Sequence, residues 1–276
     1  MFTFHLFYMR EAKDVSPKLI DYAKELLDAE QSVKEVQPLT ERDGSLTVED
    51  AYQIQLETVS LKRGQGKKVI GKKIGLTSAA MQKMLNVNEP DYGHLFDDMC
   101  VENGGTVHIK TLISPKVEAE IGFVLEEELI GPNITYIDVL MATKYVVPTL
   151  EIIDSRIADW KIKLIDTVAD NGSSSKVVIG DKKTLLSGSD LRTNGMALFQ
   201  NNELIATGAG AAALGHPAEA IAWLANKLFE YGITLKKDEL ILPGALSGAI
   251  TVSAGDEVKA DFGRLGTVTV TFQSDD

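Results

Sequence analysis

The sequence of 276 residues lacks the features that mark several special classes of protein. It has a single cysteine, Cys100, so no disulfide can form within the chain, and a cytoplasmic location is expected. Basic residues number 28 against 40 acidic ones, which gives a net charge of −12. Such a chain repels phosphate groups, so we expect neither nucleic acid nor an anionic membrane as a partner. A metal cation, or an acid chelated by a metal, is the more natural ligand.

Long apolar segments that would indicate export or membrane insertion are also scarce. The run 1–9 is apolar, but no basic residues precede it and no cleavage site of small residues follows it. The stretch 206–225 carries little charge, but it contains His216, Pro217 and Glu219 and is mostly Gly and Ala. We therefore expect no signal peptide and no transmembrane helix, and we interpret 206–225 as a buried turn followed by a helix.

The first quarter of the chain carries helical signals. Ser16-Pro17 is typical of an N-cap followed by proline at the first helical position, and apolar residues then recur at helical spacing. Thr47 and Asp50 form a variant of the capping box, which predicts a second helix that ends at Gly64. We therefore assign residues 1–66 to an N-terminal helical region.

From residue 67 onward, short β-branched runs separated by Gly, Asn, Asp and Pro predict strands. A first strand is predicted at 69–76. The later strand-like runs are 105–110, 117–126, 143–153, 175–180, 194–200, 239–243, 249–252, 257–262 and 266–272. We predict helices at 77–85 and 217–231, a turn at 89–93 and a polar loop at 166–175.

This order of elements does not show the strand–helix alternation of a doubly wound sheet. We predict an α+β protein in which the helical cap precedes a catalytic β-rich domain over residues 67–276. Two glycine-rich segments fail as nucleotide sites. In the loop 66–72 the next position should be Ser or Thr but is Lys73, and 208–215 has the wrong spacing for a dinucleotide turn.

The segment 117–125 is the sharpest local signal for chemistry. Alternate residues of a strand share a face, so its apolar residues form one face while Glu118 and Glu120 project together from the other. Two adjacent carboxylates repel each other, and a hard divalent cation such as magnesium, manganese or calcium removes that cost. The alternative is a strand face exposed to solvent.

Two further charged residues lie in apolar or glycine-rich surroundings. Glu151 lies inside a strongly apolar run, where an ionised carboxylate is rarely left unpaired. It is a candidate third ligand, or else a member of a structural ion pair, for example with Arg156. Lys72 and Lys73 face opposite ways on a strand, so one of them points inward as a candidate acid–base group; the alternative is two surface lysines. The loop 166–175 is a candidate anion site or only a turn, and His216 is interpreted as a helix-capping or packing residue.

Seven segments together resemble the fumarylacetoacetate hydrolase superfamily, and within it the 2-hydroxypenta-2,4-dienoate hydratases (2-keto-4-pentenoate hydratases) and the related 4-oxalocrotonate decarboxylases. The resemblance covers roughly residues 45–273 in order. The matching segments are 71–78 (GKKIGLTS), 89–93 (EPDYG), 115–121 (PKVEAEI), 148–151 (PTLE), 154–162 (DSRIADWKI), 166–171 (DTVADN) and 208–217 (GAGAAALGHP).

The resemblance implies a role for each matching residue. The metal ligands would be Glu118, Glu120 and Glu151, and the catalytic residues Lys73 and Asp91. The implied substrate-binding residues are Leu76, Asp170, Asn171, Ser173 and Ser174. The sequence departs from the family pattern at Gly172 and at 243–246, so these positions bear on substrate length.

The chemistry implied by the resemblance is that of a lyase with a magnesium or manganese ion and a small 2-oxo or 2-hydroxy-dienoate substrate. The expected reaction is hydration of 2-hydroxypenta-2,4-dienoate to 4-hydroxy-2-oxopentanoate in the degradation of aromatic compounds. The alternatives are 4-oxalocrotonate decarboxylation and a non-catalytic, metal-stabilised oligomer subunit. The fold implied is a mixed β-roll, assembled as a homo-oligomer.

Overall fold

The structure is a computed structural model that describes residues 15–78, 82–83, 87, 89–186 and 190–274. The run 1–9 and most of the helix predicted at 77–85 lie outside the described residues. No helix within the described ranges is both long enough and apolar enough to cross a membrane.

Residues 15–66, the described part of the N-terminal region, contain three α-helices. They are α1 (Pro17–Ser32), α2 (Leu39–Arg42) and α3 (Val48–Gly64). The predicted capping box at the start of α3 is present, because the backbone N–H of Thr47 donates to Asp50 Oδ2 at 2.9 Å and that of Asp50 donates to Thr47 Oγ1 at 3.1 Å. Helix α1 begins at Pro17 as predicted, although the side chain of Ser16 makes no capping hydrogen bond.

Three further α-helices follow within the described residues after 66. They are α4 (Tyr136–Ala142), α5 (Leu164–Ala169) and α6 (Pro217–Phe229). Only α6 was predicted, and His216 caps it as expected, since its Nδ1 accepts the backbone N–H of Ala218 at 3.0 Å.

Among the described residues, the strands form two mixed sheets. The larger sheet has the order β2-β1-β10-β5-β6-β7-β3, with β11 paired to β5, and the smaller has the order β4-β13-β12-β8-β9. The strands are β1 (Val69–Gly75), β2 (Asp91–Phe96), β3 (Cys100–Glu102), β4 (Thr106–His108), β5 (Lys116–Leu125), β6 (Thr143–Ile153), β7 (Ser174–Ile179), β8 (Gly195–Gln200), β9 (Glu203–Ala209), β10 (Leu240–Leu242), β11 (Ile250–Thr251), β12 (Glu257–Asp261) and β13 (Thr267–Gln273). This architecture confirms the predicted α+β class.

The sequence patterns predicted the wrong element in three segments, because the local composition there is not typical of the structure that tertiary contacts impose. Most of the turn predicted at 89–93 is instead the beginning of strand β2, which is paired along its length with β1. All residues of β2 are buried. The first part of 206–225 belongs to strand β9, paired with β8, and not to a buried turn. The polar loop predicted at 166–175 contains most of α5.

The helical region and the β-rich region share one hydrophobic core. Buried Gln55 of α3 illustrates the connection, because its Nε2 donates to the carbonyls of Tyr92 at 2.9 Å and Val168 at 2.6 Å. The helices therefore pack directly on the segments that carry Asp91 and the 170–174 loop. The division at residue 66 stays a prediction.

Both lysines of the first strand are buried, so the alternative of two surface lysines is wrong. Lys72 Nζ donates to both carboxylate oxygens of Glu239, at 2.8 and 2.7 Å. Burial lowers the pKa of Lys72, and the negative charge of Glu239 opposes that shift. Lys72 thus belongs to a structural ion pair on the side of β1 opposite Lys73.

We predict that Lys72→Met destabilises the protein by about 3–5 kcal/mol, because it leaves Glu239 buried without its partner. The double variant Lys72→Met/Glu239→Gln should recover part of that loss. Urea denaturation measures both changes. Lys144→Met, which removes an exposed ion pair with Asp238, is the control and should change stability little. A Lys72→Met protein as stable as wild type would contradict the structural role.

Candidate metal centre and active site

Strand pairing brings together two glutamates that are far apart in sequence. Strands β5 and β6 are antiparallel, and their register places Glu118 directly opposite Glu151. Glu120 lies two residues further along the same face of β5. Like charges placed opposite each other destabilise a sheet, so this pairing needs a compensating positive charge.

The three carboxylates form a compact group. Each offers an oxygen atom, and these atoms lie within 4.8 Å of one another. Glu120 and Glu151 are fully buried, whereas Glu118 is half-buried. A solvent-exposed strand face is therefore the wrong interpretation. Arg156 is not the ion-pair partner of Glu151, because it pairs with Asp170. The positive charge nearest to Glu151 is instead that of Lys73, at 3.7 Å.

Several carboxylate oxygens of the group have no hydrogen-bond partner among the described residues. The backbone N–H of Gly244 donates to Glu120 Oε2 at 2.7 Å, but Glu120 Oε1 and both oxygens of Glu151 are buried without a hydrogen bond. Buried polar atoms are nearly always paired. Three hard oxygen donors with unused lone pairs fit a divalent cation of the magnesium or manganese type.

The crowding of acids changes their protonation. Burial, followed by the negative charge of Glu151, raises the pKa of Glu118 to about 7. Burial, together with Glu151 and Glu118, raises the pKa of Glu120 well above its ordinary value. Burial also raises the pKa of Glu151, against the opposing charge of Lys73. Protons therefore compete with a metal for these oxygens.

Lys73 supplies the positive charge beside this group. Its Nζ lies 3.7 Å from Glu151 Oε2 and 3.6 Å from Asp91 Oδ1, and it donates to the carbonyl of Gly172 at 2.8 Å. Burial opposes its charge, but the neighbouring carboxylates, Glu151 first, outweigh that effect and raise the pKa of Lys73 above its usual value. Lys73 is thus a charged ammonium group in a buried site.

Asp91 is held in place on one side only. The hydroxyl of Thr167 donates to Asp91 Oδ2 at 2.7 Å, whereas the buried Oδ1 has no hydrogen bond. A Cβ at Gly75 would lie 2.2 Å from Asp91 Oδ1 and 2.9 Å from Lys73 Nζ, so glycine leaves the space between these groups open.

A cavity of about 510 Å³ opens onto these residues. Its volume is within the range of small-molecule sites, roughly 300–1,000 Å³. The lining includes Lys73, Asp91, Glu118 and Thr167, together with Leu76, Ile153, Ile162, Ala245 and Leu246 from surrounding segments. Charged groups therefore lie in one part of a cavity whose remaining lining contains many apolar side chains.

The predicted substrate-binding residues fall into two groups. Leu76, with a left-handed φ of 55°, and Ser173 line the cavity. Ser174 is buried, and its hydroxyl has no hydrogen bond. Asp170 and Asn171 are instead engaged by the protein itself.

Asp170 and Asn171 hold the loop in position. Arg156 donates to Asp170 through its backbone N–H at 3.0 Å and its Nε at 2.5 Å. Asn171 Oδ1 accepts the N–H of His94 at 2.7 Å, and its Nδ2 donates to the His94 carbonyl at 2.9 Å. These bonds place the carbonyl of Gly172, which has a left-handed φ of 59°, against Lys73. A substrate-binding role for the two side chains stays a prediction.

Sequence reasoning assigned no individual role to three contributors to this site: Thr167, the backbone of Gly244, and Lys116. Only Lys116 had a local signal, because it lies two residues before Glu118 and so shares its strand face. The other two are brought to the site by tertiary contacts.

Comparison with known proteins gives consistent results. Residues 71–273 match the model of the fumarylacetoacetate (FAA) hydrolase C-terminal family. A 2-hydroxyhexa-2,4-dienoate hydratase of Comamonas testosteroni is 46% identical over 90% of this chain and 94% of its own length. A 2-keto-4-pentenoate hydratase of Paraburkholderia xenovorans is 45% identical over 91% of this chain and 94% of its own length.

A solved structure has the same fold throughout. The 4-oxalocrotonate decarboxylase of Pseudomonas putida G7, complexed with magnesium and adipate, superposes with a TM-score of 0.90 at 38% identity. The match covers 92% of this chain and 97% of that one. A second structure of that decarboxylase is complexed with calcium and acetate.

The fold is one that hydratase and decarboxylase enzymes share, and the acidic centre offers three carboxylates that fit a divalent cation. The chain belongs to the fumarylacetoacetate hydrolase family, which confirms the predicted resemblance. Its hydratase and decarboxylase relatives place it among the lyases, as predicted.

We predict that the metal-free protein loses stability as the pH rises from about 4.5 to about 7. In that range the folded protein still holds a proton on Glu118 that the unfolded chain has released, so raising the pH favours unfolding. Urea denaturation in EDTA across this range measures the slope. Glu118→Gln should flatten it, and Glu127→Gln at the exposed surface should not; equal slopes in all three proteins would contradict the raised pKa.

Proposed function

We propose that this protein is a metal-dependent hydratase that adds water to 2-hydroxypenta-2,4-dienoate and forms 4-hydroxy-2-oxopentanoate. The observation that carries the proposal is the juxtaposition of Glu118, Glu120 and Glu151 with Lys73 and Asp91 beside a cavity of small-molecule size. The hydratase relatives, at 46% and 45% identity, support hydration of a short 2-oxo or 2-hydroxy unsaturated acid, and the second of them is named for the five-carbon substrate.

The charge of the centre supports a resident cation. Four carboxylates surround a single buried ammonium group, so an anionic substrate would be repelled by the protein alone. Glu118, Glu120 and Glu151 would hold magnesium or manganese, and the relative complexed with magnesium and adipate agrees with this chemistry. The bound ion would supply Lewis acidity that stabilises negative charge on the oxygens of a 2-oxo acid.

The protein's own groups manage the protons. The reaction moves the enol proton off oxygen, delivers a proton to the terminal carbon, and adds a water as hydroxyl at C4 and hydrogen at C3. Lys73 carries its proton at Nζ, and Asp91 Oδ1, 3.6 Å away, is an unused acceptor. We assign Lys73 as the group that donates a proton to the substrate. We assign Asp91 as the group that afterwards returns a proton to Lys73.

Positioning of these groups comes from rigid contacts. Thr167 fixes the other oxygen of Asp91, and the carbonyl of Gly172 directs one N–H of Lys73. The remaining N–H groups of Lys73 are free to point at the carboxylates or at a bound substrate. Leu76 and Ser173 in the wall of the cavity would contact the substrate.

Decarboxylation of 4-oxalocrotonate is the second candidate. The decarboxylase with a TM-score of 0.90 favours it, and both reactions need negative charge stabilised on the same 2-oxo acid framework. The higher identity of the hydratase relatives leads us to place hydration first.

Assembly as a homo-oligomer stays a prediction. Exposed apolar side chains occur on α4, at Ile137 and Met141, and on the edge strand β9, at Leu204 and Ile205. Light scattering of the purified protein tests the prediction. Turnover by that protein also distinguishes an enzyme from a non-catalytic subunit.

Removing the metal should abolish turnover. Turnover is followed as the decrease in absorbance of the dienoate. We expect EDTA to stop this decrease and added magnesium to restore it, because the anionic substrate binds to the cation. Parallel assays with 4-oxalocrotonate decide between hydratase and decarboxylase. Glu151→Gln should lose both activity and the magnesium-induced rise in Tm, whereas Glu127→Gln should keep both. Full turnover in EDTA would refute the metal role.

Lys73→Met should lower kcat by about 100-fold or more, the usual contribution of a general acid or base. It should not weaken magnesium binding, since it removes a positive charge from beside the three glutamates. Steady-state kinetics and calorimetric titration with magnesium measure the two effects. Lys176→Met, at a partly exposed site on β7, is the control. Wild-type kcat in Lys73→Met would remove Lys73 from the mechanism.

A further inference from the structure

Helix α3 places one buried amide side chain behind the active centre. Gln55 is fully buried, and its Nε2 donates to two backbone carbonyls, that of Tyr92 at 2.9 Å and that of Val168 at 2.6 Å. Tyr92 directly follows Asp91 on β2, and Val168 directly follows Thr167 on α5. Gln55 therefore holds together the two segments that carry Asp91 and its hydrogen-bond donor, Thr167.

The neighbours of the Gln55 amide determine its orientation. Backbone carbonyls only accept hydrogen bonds, so the amide nitrogen faces both of them and both of its hydrogens are used. The amide oxygen then faces His94 Nδ1, 2.9 Å away, and this contact requires a hydrogen on Nδ1. Burial lowers the pKa of His94 to about 3, so its ring is neutral and carries that single hydrogen. A flipped amide would oppose its oxygen to two carbonyl oxygens, so only one arrangement is stable.

The same amide connects to Lys73 through His94. The backbone N–H and carbonyl of His94 form hydrogen bonds with the side-chain amide of Asn171, at 2.7 and 2.9 Å. Asn171 precedes Gly172, whose carbonyl accepts a hydrogen bond from Lys73 Nζ at 2.8 Å. Gln55 thus lies where the supports of both acid–base groups meet.

The distance between those two groups makes their support important. Lys73 Nζ and Asp91 Oδ1 are 3.6 Å apart, so a small displacement of either group changes whether a proton can pass between them. A misplacement of about 1 Å can lower the rate of an enzyme about 100-fold. The described lining of the cavity does not include Gln55, and its three hydrogen-bond partners are not the acidic glutamates. Loss of its amide should therefore affect proton transfer and not binding.

We propose that Gln55 is a positioning residue for proton transfer, because its amide fixes the relative positions of Asp91 and Lys73 through the backbones that carry and support them. This inference rests on the proposed function, since it takes Lys73 and Asp91 as the groups that donate and return the proton. It deepens that function by giving the N-terminal helical region a part in the rate of the reaction.

Gln55→Met tests the proposal, because it nearly preserves the length of the side chain and removes its hydrogen bonds. We expect kcat for the dienoate to fall by about 10-fold or more, while KM and magnesium affinity change by less than about 2-fold. Steady-state kinetics and calorimetric titration with magnesium measure these effects. Thr167→Val, which releases Asp91 Oδ2, should also lower kcat. The double variant should lose less than the product of the two falls, because both changes act on the position of Asp91.

Two controls separate position from stability. Gln53→Met makes the same substitution at a partly exposed place on α3 and should leave kcat and Tm unchanged. Val258→Ala, in the core of the smaller sheet, should lower Tm but leave kcat unchanged well below that temperature. The proposal is overturned by wild-type kcat in Gln55→Met, by independent effects of Gln55→Met and Thr167→Val, or by a fall in kcat in Val258→Ala as large as that in Gln55→Met.

Nitrogen-15 NMR of the histidine rings tests the arrangement without turnover. In the wild-type protein, His94 should be neutral at pH 6 with its hydrogen on Nδ1, about three pH units above its pKa of about 3. Gln55→Met should shift the Nδ1 signal, whereas Gln53→Met should not. A hydrogen on Nε2 instead of Nδ1 in the wild-type protein would overturn the proposal. Absence of turnover with the dienoate would count against the proposed function, since the NMR measurement does not depend on it.

Discussion

Concentration of negative charge in a buried space is the constraint on which this structure depends. Glu118, Glu120, Glu151 and Asp91 surround one ammonium group, that of Lys73. The protein alone does not compensate these charges, as the raised pKa values of the three glutamates indicate. A divalent cation would balance the site and make it attractive to an anionic 2-oxo acid. Stability, metal affinity and substrate binding are therefore coupled through the same few side chains.

The rest of the fold keeps these side chains in place. Antiparallel pairing of β5 with β6 positions the glutamates, and the Arg156–Asp170 ion pair, with the bonds between Asn171 and His94, fixes the loop that contacts Lys73. The helical region contributes through Gln55, which ties α3 to both β2 and α5. The active centre thus rests on rigid elements from both parts of the chain.

Positive charge in the cavity is divided between two lysines with different environments. Lys73 is enclosed by carboxylates and suits proton transfer, whereas the Nζ of Lys116 lies over the indole ring of Trp160, 4.0 Å from its centroid. Lys72, adjacent to Lys73 in sequence, forms a structural ion pair with Glu239. Three lysine side chains therefore have different environments, and the groups that each one contacts determine what its charge can do.

Local sequence determined most strands of the β-rich region and the helices α1, α3 and α6. It also determined the acidic pair Glu118 and Glu120. Each of these features depends on the spacing of residues within a short segment. Family resemblance added Asp91, selected Lys73 over Lys72, and supported Glu151 as the third ligand. Tertiary structure alone decided that 91–96 is a strand, that Asp170 and Asn171 bond to the protein, and that Trp160 supports Lys116. These outcomes depend on contacts between distant segments, whose energies no local pattern contains.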